Sequence, residues 1–156
     1  MSAPERTAAA QLSDAALTSF RLNGQFLELA EELARPAGLT AAWWQVLGAV
    51  LAEPLPVAGI ARAMGVTRQS VQRIADLLVG KGLAEYLPNP AHARAKLLRP
   101  TPEGFAAVER IRPHHRKAAE RLARRMGPDA LEAAITALRQ LSLALDDLNG
   151  PDSEAT

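Results

Sequence analysis

The chain has no cysteine and no long apolar run. Without thiols it cannot form disulfide bonds, sense oxidants through cysteine or build a cysteine-bearing zinc site. Because no apolar run reaches transmembrane length and residues 1–14 lack the apolar region of a secretion signal, we expect a cytoplasmic protein that does not enter a membrane. A length of 156 residues suits one domain, with or without an extended element for dimerisation.

Recognisable enzyme motifs are also missing. The sequence has no GxSxG elbow, P-loop, HExxH or dinucleotide fingerprint, and it has no cysteine nucleophile. The histidines are His92, His114 and His115, and the adjacent pair diverges by about 100° around a helix, so one metal ion cannot easily take both. The sequence therefore predicts a protein that is not an enzyme and that has no metal site and no cofactor.

Charge is distributed unevenly along the chain, although the whole protein carries only +1. Residues 1–54 have a net charge of −3 and residues 101–156 a net charge of −1. Residues 55–100 hold seven basic and two acidic side chains, a net charge of +5. Phosphate binding needs such a concentration of one sign, whereas an ordinary solvated surface mixes the signs.

Residues 57–78 have the pattern of two helices joined by a tight turn. Ala61 is small enough for the helices to approach closely, and Gly65 suits a turn that needs freedom from Cβ strain. Thr67 can cap the second helix by accepting from a backbone N–H, and Gly82 suits its C-terminal end. This spacing is typical of a helix-turn-helix, whose second helix lies in the DNA major groove.

The second helix of this unit has an apolar face and a polar face. Its apolar residues recur at helical spacing and are predicted to face inward: Val71, Ile74, Ala75 and Leu78. Its polar residues are predicted to face outward: Arg68, Gln69, Ser70, Gln72 and Arg73. Arginine and glutamine hydrogen-bond guanine and adenine edges bidentately, so this face predicts base recognition. The alternative is an ordinary helical hairpin whose polar face is only solvated.

The rest of the chain is predicted to be helical apart from one β-hairpin. Residues 1–10 are small and polar and are expected to be disordered. Strands over residues 84–87 and 95–99 flank a Pro/Asn loop, which predicts a hairpin directly after the helix-turn-helix, the position of a wing. Further helices are predicted over residues 13–34, 41–51, 102–126 and 129–148, with a kink at Pro113.

The order and spacing of these elements resemble the MarR family of winged helix-turn-helix regulators over about residues 12–148. The stretches that carry the resemblance are Leu39-Thr40 with residues 44–47, residues 60–71, Gly82-Leu83, Asn89-Pro90 with Arg94, and residues 101–104. The resemblance implies a mainly α fold with a small β-hairpin wing and an all-helical dimerisation body. It implies that residues 1–35 and 105–156 form that body in a homodimer, and that residues 36–104 form the DNA-binding domain.

By the same resemblance, residues 67–73 correspond to the reader of the major groove, and Arg94 to a wing-tip arginine that enters the minor groove. A narrow minor groove attracts arginine electrostatically; the alternative is a solvated loop arginine. Phosphate contacts are expected from Arg62, Lys96 and Arg99. Ala93 stands where many relatives have a second basic residue, and Pro100 where a leucine is usual. The first departure predicts weaker DNA binding by the wing, and the second predicts an early end of its second strand.

An effector pocket is predicted near the adjacent Trp43 and Trp44. Their side chains diverge by about 100° on a helix, so both are not expected to face the same core. Trp44 resembles the core aromatic residue of the family, which leaves Trp43 to offer a stacking face to an aromatic molecule. The predicted pocket comprises Trp43, Trp44 and Phe20. The alternative is that Trp43 packs against the first helix.

These features predict a sequence-specific transcription regulator. It would be a repressor that binds a pseudo-palindromic operator as a homodimer and is released by a small aromatic or other small-molecule effector. The predicted DNA contacts are Arg62, Thr67, Arg68, Gln69, Ser70, Gln72, Arg73, Arg94 and Lys96. The alternative function is that of a winged-helix architectural protein or protein-interaction module without effector control.

Overall fold

The computed structural model describes residues 6–150. The described residues form two compact units, 6–113 and 114–150. Its helices and strands are α1 (Ala8–Ala34), α2 (Ala41–Ala49), β1 (Leu55–Pro56), α3 (Val57–Met64), α4 (Arg68–Gly80), β2 (Ala84–Leu87), β3 (Leu97–Pro100), α5 (Pro102–Met126) and α6 (Pro128–Asn149). The predicted fold class is confirmed: a mainly α protein with a small antiparallel sheet.

α1 begins at Ala8, earlier than the predicted Ser13. The hydroxyl of Thr7 accepts a hydrogen bond from the Ala10 N–H at 3.2 Å, which caps the helix. The three alanines that follow are the strongest helix formers, so no disordered segment separates them from the cap. The prediction of disorder was wrong for residues 8–10, while residues 1–5 lie outside the described part of the chain.

A 3₁₀ turn, Arg35–Ala37, separates α1 from α2 at the predicted break. Gly38 follows with φ 73°, a conformation that residues with a side chain rarely adopt. The N-terminus of α2 is then capped twice. Thr40 Oγ1 accepts from the Trp43 N–H at 3.1 Å, and a carboxylate oxygen of Glu31, on α1, accepts from the Ala41 N–H at 2.9 Å. These bonds fix where α2 starts relative to α1.

One hydrophobic cluster occupies the centre of the first unit. Its largest fully buried side chains come from different elements: Leu47, Ile60, Leu78, Leu98 and Ile111. Trp43 and Trp44 are both half-buried and both pack against this cluster. The expectation that they could not face the same core was wrong, because α2 is short and apolar nearly all round, and neighbouring elements cover more than one of its sides.

The sheet has three strands in the order β1-β3-β2, all antiparallel. The predicted hairpin is β2 and β3, with Ala84 opposite Pro100 and Leu87 opposite Leu97. β1 was not predicted, since residues 53–56 were expected to be only a connection. Its two residues pair with β3, with Leu55 opposite Leu98.

Pro100 does not end β3 early, so that prediction was wrong. The residue lies within the strand, paired with Ala84, and it is buried. A proline is excluded from the interior of a sheet because it cannot donate to a ladder. Pro100 is tolerated because the short β1 pairs only with Leu97 and Leu98, which leaves β3 as an edge strand at position 100.

α5 begins where the sequence predicts, directly after Thr101. Thr101 Oγ1 accepts from the Gly104 N–H at 3.2 Å and donates to the Gly82 carbonyl at 2.6 Å, which ties the helix to the end of α4. A Cβ at position 104 would overlap the carbonyl oxygen of Leu83, so this close approach requires glycine. The helix continues through Pro113, and the boundary between the two units follows that residue.

α6 contains no buried residue in the described part of the second unit. Several of its leucines are exposed: Leu138, Leu143, Leu145 and Leu148. In the first unit α1 has the same character, with Ala34 as its only buried residue. Its exposed large apolar side chains are Leu12, Leu17, Phe20, Phe26, Leu27 and Leu29. Over residues 6–150, no helix combines the length and apolarity needed to cross a membrane.

Candidate nucleic-acid interface

The turn between α3 and α4 has the geometry predicted for a helix-turn-helix. Gly65 ends α3 with φ 66°, and the Val66 N–H donates to the Ala61 carbonyl at 3.1 Å. Thr67 Oγ1 then caps α4 by accepting from the Ser70 N–H at 3.2 Å. Because each bond satisfies a backbone group that a helix end leaves unpaired, the turn holds α4 at a defined angle to α3.

α4 has the two faces that the sequence predicts. Val71, Ala75 and Leu78 are fully buried and Ile74 is half-buried. The polar residues on its outer side are exposed: Arg68, Gln69, Gln72 and Arg73. At its C-terminal end, Gly82 has φ 73° and the Leu83 N–H donates to the Leu78 carbonyl at 2.9 Å. α4 therefore presents a polar surface from a helix that is fixed at both ends.

Two predicted contact residues, Thr67 and Ser70, are linked to each other. The Thr67 hydroxyl donates to Ser70 Oγ at 3.0 Å while it accepts the backbone bond of the cap. A threonine hydroxyl has one proton, so this bond uses it. Thr67 has a structural role at the start of α4, and Ser70 keeps its own proton available to donate.

Gln72 belongs to a hydrogen-bond network that joins α4 to β2. Its Nε2 donates to Asp76 Oδ1 at 3.0 Å and to the Tyr86 hydroxyl at 2.9 Å. Tyr86 in turn donates to Asp76 Oδ1 at 2.6 Å. The spacing of Gln72 and Asp76 places them on one side of a helix and could have suggested their contact. Tyr86 comes from a separate element, and no local pattern in the chain indicated its part.

The Tyr86 phenol is held in its neutral form. Burial, together with the hydrogen bond and the negative charge of the nearby Asp76 carboxylate, raises the pKa of Tyr86 to about 12. The hydroxyl therefore remains a donor throughout the physiological pH range. Its hydrogen bond to Asp76 is therefore not lost through ionisation of the phenol in that range.

The wing loop, residues 88–96, is shaped by two successive turns. The Asn89 side chain accepts from the Ala91 N–H at 3.0 Å, and the His92 N–H donates to the Asn89 carbonyl at 3.2 Å. The second turn is closed by the Ala95 N–H, which donates to the His92 carbonyl at 3.2 Å. Arg94 lies inside this second turn and is exposed.

Most of the positive charge on residues 55–100 is not neutralised by ion pairs within the described part of the chain. Of the seven cations in residues 55–100, only Arg99 has a carboxylate partner among the described residues, with its Nε 2.6 Å from Glu85 Oε1. Lys96 Nζ lies 5.9 Å from the centre of the Tyr86 ring. The other six cations of residues 55–100 have no ion-pair partner within residues 6–150: Arg62, Arg68, Arg73, Lys81, Arg94 and Lys96. Arg99 is thus a weaker candidate for a phosphate contact than the sequence indicated.

The outer side of α4 also has a shallow depression of about 500 Å³. Its lining residues come from the exposed side of the helix: Gln69, Gln72, Arg73, Asp76 and Leu77. Four of the five are polar, and Leu77 is 46% exposed. This surface therefore has hydrogen-bond donors, acceptors and one apolar contact. These complement the polar base edges and the thymine methyl group in the major groove.

The three residues of the predicted effector pocket have unlike surroundings. Phe20 is 73% exposed on α1. Trp43 and Trp44 are half-buried against the core of the first unit. Among residues 6–150 no group of three or more histidine, aspartate or glutamate side chains is placed to hold a metal ion.

Known proteins resemble this chain both in sequence and in fold. A sequence model of the MarR family matches residues 37–95. An uncharacterised protein of Mycobacterium tuberculosis is 40% identical over 126 residues, which cover 81% of this chain and 88% of the relative.

Two solved structures have the same fold at low identity. One is a mutant of Escherichia coli MarR in complex with operator DNA, with a TM-score of 0.75, 22% identity, and coverage of 87% of this chain and 99% of that one. The other is BpsR of Bordetella bronchiseptica, whose DNA binding is regulated by 6-hydroxynicotinic acid, with a TM-score of 0.72, 22% identity, and coverage of 83% and 98%. This chain belongs to the MarR family, and it is a winged-helix, DNA-binding transcription regulator rather than an enzyme.

Proposed function

We propose that the protein is a homodimeric repressor that binds a pseudo-palindromic operator and is released by a small-molecule effector. One observation carries the proposal: the exposed polar side of α4 and the wing loop belong to residues 55–100, which hold six cations that form no ion pair within residues 6–150. A duplex offers base edges in its grooves and phosphates along both strands, and this surface has side chains suited to each.

The DNA contacts are proposed as three groups. Gln69, Ser70, Gln72 and Arg73, on α4, meet base edges in the major groove. Arg94 enters the minor groove from the wing loop. The remaining residues position the protein: Thr67 through the helix cap, and Arg62, Arg68 and Lys96 through phosphates.

The proposed dimer rests on apolar surface that one chain leaves uncovered. α1 and α6 each bury at most one residue; α1 exposes leucines and phenylalanines, and α6 exposes several leucines. Exposed apolar surface of this kind marks protein interfaces, and a two-fold dimer covers the same patch on both chains. We assign residues 1–35 and 105–156 to a dimerisation body and residues 36–104 to the DNA-binding domain.

The effector site is proposed near Trp43, Trp44 and Phe20. The partial exposure of the two tryptophans leaves ring surface for an aromatic molecule, and the related fold of BpsR responds to 6-hydroxynicotinic acid. Release of DNA requires that the effector bind one arrangement of the dimer better than the other. Repression follows if the bound dimer covers promoter DNA and excludes the polymerase.

The proposal is tested by a gel shift on DNA upstream of the protein's own gene, with salt and non-specific competitor varied. A regulator gives a discrete complex that resists competitor and is released by a member of a panel of aromatic acids. Smeared binding that disappears steeply with salt on every sequence would instead indicate an architectural protein. A tight specific complex that no panel member releases would remove the effector from the proposal and leave the operator.

A further inference from the structure

Gln72 is the predicted base reader whose hydrogen-bonding capacity is already partly used. A primary amide has two N–H donors and one oxygen acceptor. The amide nitrogen, Nε2, donates to Asp76 Oδ1 at 3.0 Å and to the Tyr86 hydroxyl at 2.9 Å, so it is turned toward the protein. The amide oxygen, Oε1, has no partner among residues 6–150. The oxygen is therefore the amide atom that is left to contact DNA.

The network itself settles which way the amide of Gln72 is turned. Tyr86 gives its single proton to Asp76 Oδ1 at 2.6 Å, so its oxygen can only accept from Gln72. An ionised Asp76 is also an acceptor only. A reversed amide would bring Oε1 against two acceptors, which is unfavourable. The neutral state of Tyr86, whose pKa is raised to about 12, keeps this arrangement in place.

We propose that Gln72 reads DNA as an acceptor only, and so selects an exocyclic amino group: N6 of adenine or N4 of cytosine. This rests on the proposed function, since it requires α4 to lie in the major groove. A glutamine that is free to move holds adenine through both a donor and an acceptor, which favours adenine alone. Guanine and thymine present only acceptors there, and these are opposed by the acceptor Oε1.

The expected preference has a recognisable form. Every base pair has one amino group in the major groove. It lies on the strand that carries adenine or cytosine, and the opposite strand then carries thymine or guanine. Gln72 should therefore accept adenine or cytosine on one strand and reject guanine or thymine there. Removing the Tyr86 hydroxyl takes away one of the two acceptors that hold Nε2, which should let the amide donate to DNA as well and narrow the preference to adenine.

The test selects binding sites from a random duplex pool with the wild-type protein and three variants at one salt concentration. In Gln72→Ala, one position per half-site should lose its preference, which in the wild type should be about 5- to 50-fold. Tyr86→Phe keeps the ring near Lys96 and should favour adenine over cytosine at that same position. Glu85→Gln changes the neighbouring strand residue outside the network and should leave the preference at that position unaltered.

A second measurement removes the amino group from the DNA instead. Replacing the selected adenine with purine, which lacks the N6 amine, should lower wild-type affinity to the level of Gln72→Ala and should not affect that variant. A Gln72-dependent preference for guanine, for thymine or for adenine alone in the wild type would overturn the inference while leaving operator recognition intact. An unchanged preference in Tyr86→Phe would do the same. If the wild type enriches no sequence, the proposed function fails together with the inference.

Discussion

The winged core buries its apolar side chains, whereas the long helices α1 and α6 leave many of theirs exposed. We define the winged core as α2–α4, the three strands and α5 as far as Pro113. It buries Leu47, Ile60, Leu78 and Leu98 completely within one chain. α6 buries nothing, and α1 buries only Ala34. The difference teaches that the DNA-reading part is complete in one chain, whereas the two helices have surface suited to a second copy.

We expect the largest effect from charged substitutions at the exposed leucines of α6. Leu138 and Leu145 are seven residues apart, on the same side of the helix, and are 43% and 39% exposed. Replacing both with glutamate should give a monomer, because buried charges oppose the proposed interface. Operator affinity should fall about 100-fold or more, since two half-sites are no longer bound together. Sedimentation velocity and fluorescence anisotropy would measure the two effects.

The matched control adds the same charge to the other side of α6. Thr136→Glu with Gln140→Glu, both at exposed positions, should leave the dimer and its affinity nearly unchanged. If Leu138→Glu with Leu145→Glu remained dimeric and bound the operator normally, these leucines would not be in an interface.

The winged core should be disrupted by one added methyl group at Gly104. A Cβ there overlaps the Leu83 carbonyl, a backbone atom that cannot move away without displacing the end of α4. Gly104→Ala should lower the free energy of unfolding by about 3 kcal/mol or more. A control is Gly48→Ala, which meets no atom within 4 Å in α2 and should stabilise the protein by up to about 1 kcal/mol. Equal melting temperatures for the two variants would show that α5 does not approach Leu83 so closely.

We expect a smaller effect on operator affinity when a cation is removed from the wing. Removing a cation elsewhere in the first unit should have no such effect. Arg94→Ala should reduce operator affinity about 10-fold and lower the salt dependence by about one ion, because it removes one cation from the groove. Arg21→Ala removes the same charge from exposed α1 and should change neither quantity. Anisotropy titrations at several salt concentrations would compare them. Identical affinities and slopes for the two variants would mean that Arg94 is only a solvated loop residue.

Local signals in the sequence predicted most of the winged core correctly. The cap at Thr67, the turn at Gly65 and the end of α4 at Gly82 each depend on residues within one helical turn of one another. The same is true of the start of α5 after Thr101. Backbone rules of this range can be read from residue types alone, because they concern which groups a helix end leaves unpaired.

The features that were missed depend on residues far apart in the chain. β1 exists because Leu55 pairs with Leu98, and Pro100 is tolerated because that pairing is short. The bond between Gln72 and Tyr86 joins two elements whose relative position is set by the core. Periodicity assigned Gln72 to the outer face correctly, but it could not show that the side chain was already hydrogen-bonded there. The packing of both tryptophans was missed for the same reason.

The central claim is that two copies of the chain read a two-fold symmetric site. Native mass spectrometry of the complex formed on a duplex selected from random DNA tests this most directly, because it counts chains while the selected sequence shows the symmetry. We expect two chains per duplex and two inverted half-sites whose centres lie about one helical turn, roughly 10 base pairs, apart. One chain on an asymmetric site, with full affinity, would contradict it.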